Sequence, residues 1–264
     1  MSLTAFELAA IGGPWGRRLA PRRAWIDGLP WDEALPADAD EARLVWTRTA
    51  FSEYASAAAF AEISAALLAA AAPIDLVAAA GDFIVDEIVH TEVAARIAAA
   101  LGGAVALEVD LGRLVRPATA PDPLLRAAEL VVRTSCVGET LTVPMLKLAR
   151  RLAGSALVDA ALHKVVSDES SHAQLGWWFL DWAEPRLDDA ARAHLGRVAG
   201  AAIRAFAPLL GGAACAAPGG LGAIPCAGYD ATLVDAAVRR VAGPLGERGI
   251  EVPPDDLAFG PGDP

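Results

Sequence analysis

Six residues dominate the chemistry this chain can do. The sequence reads Asp86-Glu87-Ile88-Val89-His90 in its first half and Asp168-Glu169-Ser170-Ser171-His172 in its second. With 14 glutamates and 4 histidines in 264 residues, chance supplies about 0.2 matches to E-x-x-H, and two stand here, each preceded by aspartate. A spacing of three puts Glu and His on one helix face, one turn apart, where a carboxylate oxygen and an imidazole nitrogen reach a common cation. Upstream, Glu53 precedes Glu87 by 34 residues, and Glu139 precedes Glu169 by 30. The midpoints fall near residues 70 and 154, at the tight joints Ala69–Ile74 and Gly154-Ser155. An antiparallel hairpin sets residues equidistant from its turn at equal height. Glu53 then stands level with Glu87 and His90, and Glu139 level with Glu169 and His172. Four carboxylates and two imidazoles converge, a donor set for two hard cations such as iron or manganese. Without cations, carboxylates so close together repel or take up protons.

The elements that must position these residues are helices. Ala and Leu dominate from residue 38 onward, and glycine and proline retreat to the borders. Four long helices are expected, over about 38–71, 73–101, 121–154 and 155–184, followed by weaker ones near 188–207 and 230–246. The first two are joined by almost nothing, and so are the third and fourth, so each pair is antiparallel. The stretch from Gly102 to Ala120 is long enough to cross the bundle and start the third helix at the same end as the second. The expected fold is all-α. It is a ferritin-like four-helix bundle of two antiparallel hairpins with a long crossover, plus two C-terminal helices and an irregular N-terminal arm. The division is 1–37 arm, 38–186 bundle and 187–264 C-terminal helices with a frayed tail. Trp15, Trp25 and Trp31 are expected to anchor the arm.

Composition limits the partners. The chain is 55% hydrophobic with a net charge of −11, which argues against nucleic acid or an anionic membrane surface as partner. Mean hydropathy is +0.38, much of it from alanine, and no long apolar run free of helix breakers suits a membrane span. The first residues lack a basic start followed by an apolar run, and three cysteines make no disulfide framework. A cytoplasmic location is the default expectation. Cys215 and Cys226 are expected to be free thiols rather than a pair.

The blocks Ser52–Ser56, Asp86–His90, Cys136–Thr140 and Asp168–His172 together resemble the ferritin-like di-iron carboxylate superfamily, closest to a bacterial group of ferritin-like domain proteins without a settled activity. The resemblance covers roughly residues 40–185. It implies that Glu53, Glu87, His90, Glu139, Glu169 and His172 hold two iron ions, with Mn/Fe or Mn/Mn as variants, and that Glu87 and Glu169 bridge them. It further implies that Asp86 and Asp168 hydrogen-bond the ligand histidines. The implied activity is a di-iron oxidase or oxygenase that uses dioxygen on a small organic substrate, served by an electron-donor reductase, as a monomer or small homo-oligomer. A ferroxidase or iron-handling role, and a metal-stabilised bundle without turnover, are the alternatives. No C-x-x-C pair is present for a rubredoxin-type centre. Ala94 stands where ribonucleotide reductase small subunits carry a radical tyrosine.

Other residues receive plainer readings. Glu62 competes with Glu53 on the same helix, but its spacing to Glu87 places the turn less well. Glu92 is expected to be a solvated or paired acid, His163 a surface or supporting residue, and His194 plain surface. Trp177, Trp178 and Trp182 are expected to pack on core and arm. Cys136 is expected to fill the core. The residues around Cys136, Ala57 and Val143 are expected to line a substrate pocket, with Pro144 kinking the helix beside it.

Overall fold

The computed structural model describes residues 3–10, 12–35, 39–206 and 229–257. Within them the chain is all-α, apart from a two-residue bridge in which β1 (Thr4–Ala5) pairs antiparallel with β2 (Glu108–Val109). Helix α1 (Gly13–Asp27) precedes α2 (Asp40–Ala69) and α3 (Ile74–Ala100). After the crossover come α4 (Pro123–Val131), a π-helical segment Val132–Glu139, and α5 (Thr140–Arg151), which form one continuous rod. Helix α6 (Ala156–Ala183) completes the second hairpin. Helix α7 (Asp189–Arg204), α8 (Tyr229–Ala236), a second π segment (Ala237–Ala242) and α9 (Gly243–Gly246) follow.

Two apolar clusters fix the directions of the rods. One gathers Phe60, Ile63 and Leu67 from late α2, Leu76 and Phe83 from early α3, Ala127 to Val131 from α4, and Leu175 and Phe179 from late α6. The other gathers Trp46 and Ala50 from early α2, Val93 and Ile97 from late α3, Leu146 and Ala149 from α5, and Leu157 and Leu162 from early α6. Helices α2 and α6 therefore run one way, and α3 and the α4–α5 rod run the other. Leu101 belongs to the second cluster, whereas Val115 and Ala118 pack on the first, so the crossover traverses the whole bundle. The charged layer lies between the two clusters.

The ends are specified locally. Asp122 accepts from the Leu125 amide (2.8 Å) at the start of α4. Ser155 accepts from the Val158 amide (3.3 Å) at the start of α6, and Asp188 from the Ala191 amide (2.8 Å) at the start of α7. Ala71 closes the α2–α3 joint with φ of 52°, a left-handed conformation that disfavours a side chain.

Three expectations need correction. The segment 1–37 is not an irregular arm throughout. It contains α1, whose Pro14 and Pro21 and scattered charges hide any apolar period. Trp25 and Trp31 do pack on the second cluster, while the side chain of Trp15 lies outside the described residues. The tail from Val252 to Leu257 is not frayed: Val252 is buried, and Arg204 pairs with Asp256. Gly196 and Gly200 leave no room for a Cβ where Glu251 and Asp256 cross α7, so this segment is seated by glycine. Of the tryptophans of α6, Trp177 and Trp182 do pack on the first cluster, covered by Arg248 and Arg186 in turn, whereas Trp178 is half-exposed. Cys215 and Cys226 lie outside the described residues. Among the described residues, no helix is long and apolar enough to cross a membrane.

Candidate metal centre

The four rods bring all six expected ligands to one level. Ligand atoms of Glu53, Glu87, His90 and Glu169 lie within 4.8 Å of one another, and so do those of Glu139, Glu169 and His172. Glu87 and Glu169 belong to both sides. Glu169 Oε1 is 3.1 Å from His90 Nδ1, and its Oε2 is 2.9 Å from His172 Nδ1. Glu87 Oε1 is 2.9 Å from His172 Nδ1, and its Oε2 is 3.8 Å from His90 Nδ1. Each carboxylate thus offers one oxygen to each histidine, and the two imidazole rings stand 6.0 Å apart. Glu53 lies beside His90 (3.8 Å to Nδ1), and Glu139 sits with Glu169 and His172.

Burial makes this arrangement costly without cations. Glu87, His90, Glu169 and His172 are almost completely buried, and both Glu87 oxygens and His90 Nδ1 lack a hydrogen-bond partner. Burial, then the charges of Glu87 and Glu169, push the Glu53 carboxyl well above the usual range. Burial, then Glu169 and Glu87, do the same to Glu139. Burial opposes charge on the histidines, but Asp86, Glu169 and Glu87 raise His172 to about 12. Asp168, Glu169 and Glu87 likewise raise His90. Burial also opposes charge on Glu169, but His172 and His90 hold it low. The orphaned Nδ1 and carboxylate oxygens, together with hard N/O donors, fit a pair of divalent ions.

The supporting residues are crossed between hairpins. His90 Nε2 meets Asp168 Oδ2 at 3.1 Å, and His172 Nε2 faces Asp86 Oδ2 at 3.6 Å, just beyond hydrogen-bond contact. Each Asp is gripped by a cation. Lys164, four residues earlier on α6, holds Asp168. Arg22 of α1 holds Asp86 at 2.5 Å and Asp82 at 2.6 Å. Phe83 lies against the His172 ring at 4.3 Å and Phe60 at 5.2 Å, an apolar wall under the centre.

Sequence reasoning missed Arg22, Lys164 and Glu33. Lys164 was visible as an i,i+4 partner of Asp168. Arg22 and Glu33 carry no local signal. Glu33 accepts from Ser155 Oγ and the Leu157 amide, both at 2.8 Å, capping α6 from the arm.

The remaining candidates sort clearly. Glu62 is exposed and lies outside the cluster, whereas Glu53 is the α2 carboxylate that joins it. Glu92 pairs with Arg23 at 2.6 Å, and His163 is exposed. His194 is not plain surface: its Nε2 meets buried Glu129 at 2.6 Å, and Glu129 also accepts from the Thr119 and Ala120 amides, tying α7 and the crossover to α4. Cys136 is fully buried against Gly176, where a Cβ would lie 2.6 Å from its sulfur. The π segment ends at Glu139, directly before α5 and its Pro144. Its wider turn shifts Glu139 relative to a plain α-helix, a distortion common at functional sites.

A cavity of about 810 Å³ opens between α2 and the π–α5 rod, and Glu53, Glu139 and Glu169 lie at its floor. Its α2 wall is Val45, Arg48, Ser52, Ala55, Ser56 and Ala59, a single helix face. Ala57, Val143 and Cys136 do not line it. Ala57 lies about 100° round α2 from Ser56, and Val143 turns inward from Thr142 by the same step.

The fold and the site together define an all-α protein with a buried, quasi-symmetric Glu/His cluster that could hold a metal ion. No family model, curated protein or solved structure matches the chain.

Proposed function

We propose that the chain is a ferritin-like four-helix bundle binding two metal ions, iron by first preference, and that it is an oxidoreductase using dioxygen on a small organic substrate. The observation that carries this reading is the double sharing by Glu87 and Glu169, each with one oxygen toward each histidine. A structural bundle gains nothing from two buried carboxylates set this way, whereas two adjacent cations need bridging oxygens. When bound, an iron pair supplies redox chemistry with dioxygen. The chain's own residues do the rest. Asp168 hydrogen-bonds the outer nitrogen of His90 and Asp86 faces that of His172, which supports Nδ1 of each ring pointing inward toward the cluster. The apolar clusters above and below close the layer at both ends, so that the cavity is its approach from the side. The cavity gives a substrate a route to Glu53 and Glu139, which favours an organic molecule over iron itself as the substrate.

Anaerobic loading with ferrous iron, counted per chain and followed by an oxygen pulse, tests the reading. The expected result is about two irons per chain and oxygen consumption, both lost in Glu169→Ala. Iron far above that count indicates an iron-handling protein. Iron bound without oxygen uptake indicates a structural site. No iron, or iron indifferent to Glu169→Ala, overturns the ligand assignment.

A further inference from the structure

The cavity has a cationic pole that the proposed chemistry leaves unused. Arg116 from the crossover and Arg133 from the π segment both line it, together with Glu53, Glu139 and Glu169, and a third arginine, Arg48, lines it from early α2. Arg133 lies six residues before Glu139 on the same rod, less than two helical turns away. The Arg133 head donates to the Arg116 carbonyl, which places the two residues side by side. Neither guanidinium has an ion-pair partner among the described residues. Glu129, one of the acids that attract Arg133, is already engaged by Thr119, Ala120 and His194. Burial and then the neighbouring Arg116 charge pull Arg133 below its ordinary guanidinium value, and the opposing charges of Glu129 and Glu62 do not offset them. The rest of the lining is mostly small or apolar, Ala55, Ala59, Val115, Met145 and Phe206 among them, with hydroxyls such as Ser56 and Thr134.

We infer that the cavity takes a small amphipathic anion, its carboxylate or phosphate head on Arg116 and Arg133 and its apolar body lying along α2 toward Glu53 and Glu139. The polarity of the cavity sets the orientation. The floor carries Glu53, Glu139 and Glu169, so an anionic head is repelled there and drawn to the arginines, whose planar forks match a carboxylate or phosphate. The carbon chain is then the part presented to the centre. A volume of about 810 Å³ suits a molecule of this size. This inference rests on the reading that the Glu/His cluster is the reacting centre, but its test does not depend on turnover.

The test is calorimetric binding of octanoate, octyl phosphate and neutral octan-1-ol to the full-length protein, with metal content measured on the same samples. Octanoate or octyl phosphate is expected to bind about tenfold or more tightly than octan-1-ol. Arg116→Gln is expected to weaken the anion about tenfold and leave octan-1-ol unchanged, and Arg116→Gln with Arg133→Gln to weaken it further. Because Arg133 also holds the crossover, the single Arg116→Gln variant, whose side chain is exposed, is the decisive one. Arg113→Gln, which lies outside the cavity wall and faces Asp110, is expected to change nothing. A preference between octanoate and octyl phosphate identifies the head group. Equal binding of octanoate, octyl phosphate and octan-1-ol, or anion binding indifferent to both arginines, overturns the inference. So does anion binding that vanishes when metal is stripped while the arginine variants bind normally, because the head then sits on the metals. Normal anion binding in a protein that takes up no metal would leave this inference standing and sink the proposed redox function instead.

Discussion

The two hairpins write the same ligand sentence on different scaffolds. In the first, Glu53 sits on the unbroken α-helix α2 and retains 16% side-chain exposure at the cavity. In the second, Glu139 ends a π segment inside a rod of three pieces and is buried. The supports differ as well. Asp168 is held by Lys164 one turn away on its own helix, whereas Asp86 is held by Arg22 from outside the bundle. The donor atoms are repeated, as the proposed pair of metal ions would require. The means of holding them are not, because any cation that reaches the Asp suffices. Symmetry in this protein belongs to the site, and asymmetry to its surroundings.

The strongest way to break the comparison is at the shared carboxylates. Glu87→Ala and Glu169→Ala are both expected to abolish binding of both metals, while Glu53→Ala and Glu139→Ala each retain about one. Metal analysis after loading reads this directly, and full retention in Glu87→Ala would remove it as a bridge.

Acidity comes next. In the metal-free protein Glu53 and Glu139 hold protons above the usual carboxylate range, and His90 and His172 hold theirs above the usual imidazole range. Loading must displace these protons, so affinity is expected to rise with pH and fall on acidification. Proton release into weakly buffered dye solution during loading checks the sign; loading without release contradicts it.

The supports offer a finer test. Arg22→Ala is expected to lower metal affinity about tenfold, through Asp86 and His172. Lys164→Ala is expected to act through Asp168 and His90 to a smaller extent, because Asp168 lies within direct hydrogen-bond reach of its histidine. Equal losses would mean that the remote and local grips are equivalent. Glu33→Ala removes a cap on α6 and is expected to cost about 1 kcal/mol. That is a fall of roughly 2–4 °C in Tm with metal binding retained. The smallest effect concerns the joints: Ala71→Gly relieves the left-handed residue between α2 and α3 and is expected to stabilise by up to about 1 kcal/mol.

Much of this was legible in the sequence because the relevant physics is local. The E-x-x-H spacing is a property of one helix turn, and the equal-height argument needs only two short joints, at Ala70–Pro73 and Leu152–Ser155. What was not legible depends on partners remote in sequence. Nothing near Arg22 announces Asp86, 64 residues away, or near Glu33 the start of α6. Helix α1 was obscured because its charges find partners on α3, Arg23 with Glu92 and Asp27 with Arg96, and Trp25 and Ile26 reach the second cluster without a sustained apolar period. The pocket was legible to within a residue or two: neighbours of Ala57, Val143 and Cys136 line it, while those three side chains turn away. The π segment has no spacing signature, since its extra width appears only when the backbone is built.

The crossed supports have a consequence for assembly. Asp86 serves the histidine of the second hairpin and Asp168 that of the first, and Glu87 and Glu169 each reach over the divide. Neither hairpin owns a finished site. On the proposed reading, metal ions would act as a clasp: two separately expressed hairpins would join more tightly when metal is added, and metal uptake would report their union.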